Sequence, residues 1–208
     1  MLNMSSVSNV SWFETITIIS GVIVGVIAAS IKMFVKKPDN EKEHIGFIRV
    51  HTGIHETLTE LRIQTNSDRT QVLQFHNGEY FMDGVSMRKF TLTHESLVKG
   101  VSADARRMTG LLCSMFVPLL SIMLKTDGTP FHINDLIHSY SKQFLEENNV
   151  QGLSILPIKV KGVITAFLLI QLCDEKELDS VNKQMASCHI RDARDSIEVQ
   201  LSNQEKGY

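Results

Sequence analysis

The 208-residue chain is 43% hydrophobic and 21% charged, with a formal net charge of −2. That balance excludes wholesale disorder and lacks the basic footprint of a nucleic-acid-binding domain, so no nucleic-acid partner is expected. The length suits one ordinary domain plus an appendage. Three widely spaced cysteines, Cys113, Cys173 and Cys188, form no CxxC pair, which excludes zinc-ribbon and thioredoxin-like designs and points to reduced, buried thiols.

The appendage is residues 1–37. From Ile16 to Val35 the chain reads ITIISGVIVGVIAASIKMFV, twenty residues whose single charge, Lys32, lies near the end. A helix of that length spans about 30 Å of hydrocarbon. Trp12 stands where an interfacial aromatic belongs, and Lys32, Lys36 and Lys37 cluster at the far end. The positive-inside rule then predicts a single-pass anchor in the inner (cytoplasmic) membrane, with the N-terminus outside and the following domain cytoplasmic. A cleaved signal peptide fits less well, because residues 1–31 carry no Lys or Arg to form a basic n-region. Gly21 and Gly25 make a GxxxG that could pair two such helices.

Pro38-Asp39-Asn40 predicts a break, and residues 38–65 form a juxtamembrane linker and a first helix. In that helix Phe47, Ile54 and Leu61 recur at seven, as do His51, Leu58 and Thr65, a short heptad-like pattern. It fits a paired helix or one packed on its own domain. A histidine at a core position of a paired helix would tune the pairing with pH. Asn66-Ser67-Asp68 turns the chain. RTQVLQF (69–75) reads as a strand and Asn77-Gly78 as a tight turn after it. SMRKFTLTHESL (86–97) reads as a second strand, and 98–112 as a loop or short helix. The apolar run around Pro118 is too short to span a membrane and suits a buried strand or irregular segment. A helix is predicted from Asn134-Asp135 onward, with Leu136, Ile137, Tyr140 and Phe144 on one stripe. Strands 153–160 and 163–173 flank the two-residue turn Lys161-Gly162. A last helix covers about 177–201.

This order predicts an α+β fold: an antiparallel sheet with the N- and C-terminal helices on one face, the middle segment on the other, and one transmembrane helix ahead of it. Two stretches carry a resemblance. NNVQGLSILPIKVKGVITAFLLIQLC, with Pro157, Gly162 and Ala166, resembles the end of a GAF domain, and RTQVLQFHNG resembles its first strand. FHNG, DG and THE together are similar to GAF-like proteins of phages and prokaryotes. The likeness covers roughly residues 44–203, so 66–203 together with the first helix is expected to be a GAF-like domain and 204–208 a tail. GAF domains are sensory or regulatory modules that bind small molecules or dimerise; their ligands include cyclic nucleotides, tetrapyrroles and amino-acid-like metabolites. The cyclic-nucleotide signature is missing here, and no cysteine stands in a bilin-attachment context.

Candidate ligand-binding residues are Gln74, His76, Asn77, Arg88 and His94. Strand alternation puts Leu73 and Phe75 on one side and Val72, Gln74 and His76 on the other. If Leu73 and Phe75 pack under the helices, Gln74 and His76 face the pocket side that the resemblance implies. The same alternation groups Arg88, Phe90, Leu92 and His94. The plainer reading is that His76 serves the backbone of the turn. His94-Glu95 with His76, or His51 with His55, could hold a metal only on unspecific spacing. No hydrolase or nucleotide-loop motif is present, and no enzyme is expected; a GAF-type thiol reductase would need Cys113 and Cys173 in one pocket.

Three functions follow, in order. The first is a membrane-anchored sensory or regulatory module that binds a small molecule or protein partner, with a homodimer formed through the membrane and juxtamembrane helices. No cofactor is identified, and no output domain is expected after the last helix. The second is a ligand-free structural or interaction scaffold at the membrane, of phage origin in that reading. The third is the thiol reductase. A pocket filled by Phe90, Phe116 and Phe167 would favour the second.

Overall fold

The computed structural model describes residues 40–80, 84–173 and 180–204, together with Ile23 and Met82. The chain divides between His44 and Ile45 into two units, and the fold below is that of the second. The apolar segment 16–35, its GxxxG and the Pro38-Asp39 break lie outside the described residues, Ile23 apart. No helix among the described residues is long and apolar enough to cross a membrane.

Helix α1 (Asn40–Gln64) leads into β1 (Arg69–Tyr80) and β2 (Ser86–Leu97). A short strand β3 (Leu111–Leu112), a 3-10 turn (Cys113–Phe116) and helix α2 (Val117–Met123) follow. Then come β4 (Phe131–His132), α3 (Tyr140–Glu147), β5 (Gly152–Val160), β6 (Val163–Leu172) and α4 (Ser180–Gln204). The strands form one antiparallel sheet in the order β3-β2-β1-β6-β5-β4.

Local chemistry sets the element ends. Asn66 and Asn149 take left-handed φ values of 50° and 58° after α1 and α3. Behind them Ser67 N–H reaches Arg62 O and Val150 N–H reaches Leu145 O, the six-to-one closure of a Schellman cap. Ser139 caps α3 by accepting from the Lys142 N–H. Pro118 sits in the first turn of α2, where its missing N–H is harmless, so the run around it is helical rather than the strand or irregular segment expected. Lys161 and Gly162 both have positive φ between the paired Val160 and Val163, as a two-residue hairpin needs. The third helix starts at Tyr140, six residues later than the sequence pattern suggests, because Ile133–Asp135 closes as a separate 3-10 turn.

The sheet separates two cores. On one face Ile54, Leu58 and Leu61 of α1 meet Ile190, Ala193, Ile197 and Leu201 of α4 over Val72, Ile158, Ala166, Leu168 and Ile170. The heptad residues of α1 from Ile54 onward are thus spent on the chain's own sheet. Gly53 lies under the Gln200 side chain of α4, which a Cβ there would meet at 3.3 Å. On the other face Leu73, Phe90, Leu92, Phe116, Leu153, Ile155, Phe167 and Leu169 pack with α2, α3 and the 98–110 loop. Beyond the two residues that pair with β4, the outer edge of β5 is closed by chemistry rather than by a strand. Pro157 removes one donor, and Glu198 Oε1 of α4 accepts the Lys159 N–H at 2.7 Å.

Candidate functional site

Two irregularities in the β1–β2 pair decide where the candidate residues lie. The first is at Thr93. Val72 pairs with His94 but Leu73 with Leu92, so Thr93 is an extra residue whose hydroxyl donates to Val72 O at 3.2 Å. Arg88, Phe90 and Leu92 keep the face of Leu73. His94 is thrown to the other face, against α1, and Glu95 returns to the Leu73 side beside Gln71. His94 and Glu95 therefore cannot share a metal, and the described residues contain no cluster of three metal-ligating side chains.

The second is at Gly78. Asn77 pairs with Arg88 and Tyr80 with Ser86, so β1 carries one residue too many. Asn77-Gly78 is not a turn but a bulge inside a strand that runs on to Tyr80. A Cβ at Gly78 would lie 2.6 Å from Met87 O, so only glycine lets the two backbones approach.

The face assignment on β1 is the reverse of what the pocket reading required. Leu73 and Phe75 point to the aromatic core under α2 and α3, while Val72 packs with α1 and α4. Gln74, opposite Ala166, and His76 share the terminal-helix side. His76 is exposed; its Nε2 lies 2.9 Å from Thr91 Oγ1 and its Nδ1 3.2 Å from Asn77 O. It serves the bulge. Asn77 and Arg88 are exposed near the connecting loop of the hairpin, where Asn77 Oδ1 accepts from the Ser86 hydroxyl. The five candidates do not converge on one site.

The face opposite the terminal helices, where the resemblance places a pocket, is occupied by side chains. Phe90, Phe116 and Phe167 are at most 1% exposed. The ring of Phe90 stands edge-on to Phe116 at 5.0 Å and to Phe167 at 5.3 Å. Tyr140 and Phe144 extend the cluster, each 5.5 Å from Phe116.

Beyond the aromatics, at the Arg69 end of the same face, lies a buried polar network that sequence reasoning missed. Arg69 Nη1 donates to Gln171 Oε1 at 2.9 Å and sits 3.7 Å from Asp104 Oδ2. Gln71 Nε2 donates to Glu95 Oε1 and Asp104 Oδ2, and Gln171 Nε2 donates to Gln71 Oε1. Glu95 accepts the Asp104 N–H, and Arg107 reaches Asn148 Oδ1. The network pins the 98–110 loop to the sheet; Asp104 Oδ1 alone is buried without a partner in it. A lone Gln171 in the apolar run FLLIQLC, and Arg69 and Gln71 alternating with Leu73, are the signals that could have exposed it.

On the terminal-helix face, His51 Nδ1 lies 2.7 Å from His94 Nε2. Burial first, then the imidazoles of His51 and His55, push His94 down to about 4 from 6.5. Burial also lowers His51.

The thiols do not meet. Cys113 follows Leu112, level with Lys89 and hence His76, whereas the Cys173 N–H binds Asp68. Eight residues of β1 separate those levels, about 26 Å, which removes the reductase reading. Burial holds the Cys113 thiol above its usual pKa. Finally, a groove of about 330 Å³ opens between the α2–β4 loop, the β5–β6 hairpin and α4. Leu156, Pro157 and Ile164 are among its apolar walls, and Lys125, Lys159 and Arg194 supply its cations.

This architecture is a GAF-like α+β fold, an antiparallel six-stranded sheet with terminal helices on one face. Among solved structures, the chain is similar to the phycocyanobilin-bound GAF domain of a cyanobacterial phytochrome, with a TM-score of 0.54 and 13% identity over 89% of this chain and 95% of that one. A phycoerythrobilin-bound GAF domain of a cyanobacterial phytochrome matches with a TM-score of 0.52 and 12% identity over 83% and 98%. The PixJ GAF domain of Thermosynechococcus elongatus gives 0.53 and 11% over 77% and 92%. At these identities the likeness is one of fold. No family model matches the sequence, and no curated protein does.

Proposed function

We propose that the chain is a membrane-anchored regulatory module whose GAF-like domain works through protein contacts, with its interior filled rather than holding a ligand. The supporting observation is the aromatic cluster of Phe90, Phe116 and Phe167. Two of the structural neighbours were solved with bilins bound. A ligand of drug size or larger needs a cavity of several hundred Å³, and here the corresponding face is packed with side chains. The residues present do not fit a bilin, and no role is assigned to one.

The partner in this reading is a second copy of the chain. Ile45, Phe47 and Ile48 of α1 are about half exposed or more, ahead of the part of the helix spent on the sheet. They stand ten to thirteen residues after the apolar segment 16–35, which in this reading is the anchor and brings two copies together in the plane of the inner membrane, with the domain on the cytoplasmic side. The full chain in detergent should sediment as a dimer, and Phe47→Glu with Ile48→Glu should shift it to monomer. Nucleotides, bilins and metabolites should leave its melting temperature unchanged. A monomeric wild type, or any such ligand raising the melting temperature by several degrees, would sink the reading. A fusion reporter after Tyr208 that behaves as external would overturn the topology.

A further inference from the structure

One end of the second unit gathers exposed apolar side chains from three separate tips. β1 and β6 are antiparallel, with Arg69 opposite Gln171 and Gln74 opposite Ala166. The β1–β2 connection and the β5–β6 hairpin therefore leave the sheet at the same end. Leu112 pairs with Lys89, which faces His76, and the chain runs on from there into α2. The exit of α2 comes back beside Pro157, Lys159 and Ile164. Tyr80 and Met82 stand on the first connection, Val163 on the hairpin and Leu124 at the α2 exit, with exposures of 65%, 109%, 64% and 68%. Single exposed apolar residues are ordinary on a protein surface, but several on adjoining tips mark a contact surface.

Cations accompany them. Arg88 and Lys89 lie on β2 just after the connection, opposite Asn77 and His76. Lys125 and Lys159 line the groove between the α2 exit, the hairpin and α4. Among the described residues none of these four has an ion-pair partner. The carboxylates about the groove are engaged. Asp127 takes Arg191 at 2.7 Å, and Glu198 accepts the Lys159 N–H and sits 4.0 Å from Arg194. Glu79, exposed beside Tyr80, offsets one of the four charges. In a chain of net charge −2 this end is a local positive excess.

The composition separates a lipid surface from a protein partner. Lysine is depleted in protein–protein interfaces. Apolar tips backed by basic residues suit a bilayer interface instead, where the tips enter the acyl boundary and flexible ammonium groups reach the phosphates. The second unit also starts toward this end. Leu58 O of α1 accepts from the Thr70 hydroxyl, and His51 meets His94 opposite Val72. Thus α1 runs antiparallel to β1, and its earlier residues lead toward the tips.

We propose that this end of the domain docks on an anionic lipid surface. Met82, Leu124 and Val163 enter the interface, and Lys125 and Lys159 hold lipid phosphates at the mouth of the groove. The docking sets which end of the sheet faces the bilayer, and it needs neither a membrane span nor a dimer.

A single tryptophan reports it. The full chain carrying Trp12→Phe and Leu124→Trp is mixed with vesicles of phosphatidylcholine, with or without phosphatidylglycerol, some with brominated acyl chains. With phosphatidylglycerol the emission should move to the blue and be quenched by the brominated lipid; in neutral vesicles, or at high salt, it should do neither. Ile63→Trp in the same background, 66% exposed where α1 ends, should stay unquenched throughout. Adding Lys125→Gln and Lys159→Gln should lower the ratio of docked to undocked chain about thirtyfold, at about 1 kcal/mol per basic residue near an anionic surface. Quenching of Leu124→Trp no greater than that of Ile63→Trp, or equal in neutral and anionic vesicles, overturns the docking. So does a blue shift that follows protein concentration rather than lipid charge, which would assign this end to a second copy. Flotation separates the anchor from the docking. A chain that leaves neutral vesicles but stays on anionic ones refutes the span and keeps the docking, one that stays on both without quenching does the reverse, and detachment from both overturns both.

Discussion

Replacing Phe116 by alanine probes the reading that the pocket face is filled. Phe116 is wholly buried, and its ring touches those of Phe90, Tyr140 and Phe144 at centroid distances of 5.0, 5.5 and 5.5 Å. Truncation removes a benzyl group from a close-packed site where backbone from the 3-10 turn and α2 cannot follow it inward. The loss is then the transfer free energy plus a cavity term, about 3–5 kcal/mol. For a chain of this length each kcal/mol lowers the melting midpoint by about 2–4 °C, so a drop of about 6–20 °C is expected. Urea denaturation should show a lower midpoint with an unchanged slope. Val163→Ala, at a position 64% exposed, is the control and should cost under about 0.5 kcal/mol. Benzene should restore part of the lost stability by entering the new cavity, as small apolar ligands do in dry engineered voids. A loss below about 1 kcal/mol would refute the reasoning. It would mean that the ring borders open space, and the face would again be a candidate for a ligand.

Three further outcomes are expected. Arg69→Met leaves the Asp104 carboxylate buried beside no cation and should cost about 3–5 kcal/mol, with most of it recovered when Asp104→Leu is added; a double variant no more stable than the single would show that the network is not a coupled unit. Gly78→Ala drives a methyl toward Met87 O at 2.6 Å and should cost about 1–3 kcal/mol, with lost exchange protection confined to the β1–β2 hairpin; a neutral substitution would show that the bulge is soft. The His94 pKa of about 4 lies below its unfolded value of 6.5, so the unfolded chain takes up that proton first. Stability is therefore full above about pH 6.5 and falls as pH drops from there toward 4, by about 2 kcal/mol at pH 5; urea midpoints that do not differ between wild type and His94→Gln across that range would remove this contribution.

Periodicity and turn chemistry made much of the fold legible. The second strand is found at the residues predicted for it, 86–97, because Phe90, Leu92 and their neighbours alternate and Asp83-Gly84 precedes them. Lys161-Gly162 is the hairpin turn it promises to be, since both residues hold the positive φ that this turn requires. Ile54, Leu58 and Leu61 repeat at helical spacing and pack as that spacing implies. The sequence could not say whether they would meet a second helix or their own sheet, because both present the same apolar surface. Short elements were not legible. Phe131–His132 and Leu111–Leu112 are strands only because β5 and β2 offer them an edge.

The sequence by itself therefore determined the two long helices, the four long strands and the turn at Lys161-Gly162. Those properties depend on neighbours three or four residues away along the chain. The tertiary structure alone decided which face each candidate presents. Period-two alternation holds only while register holds, and one extra residue at Thr93 sends His94 to α1 and Glu95 to Gln71. It also decided that Arg69, Asp104 and Gln171 share one buried network and that His51 meets His94, pairings across 35 to 102 residues that no local pattern encodes. The stretch FHNG, which reads as a turn with a histidine beside it, is a bulge in a longer strand, because Gly78 lets two backbones approach where any side chain would keep them apart.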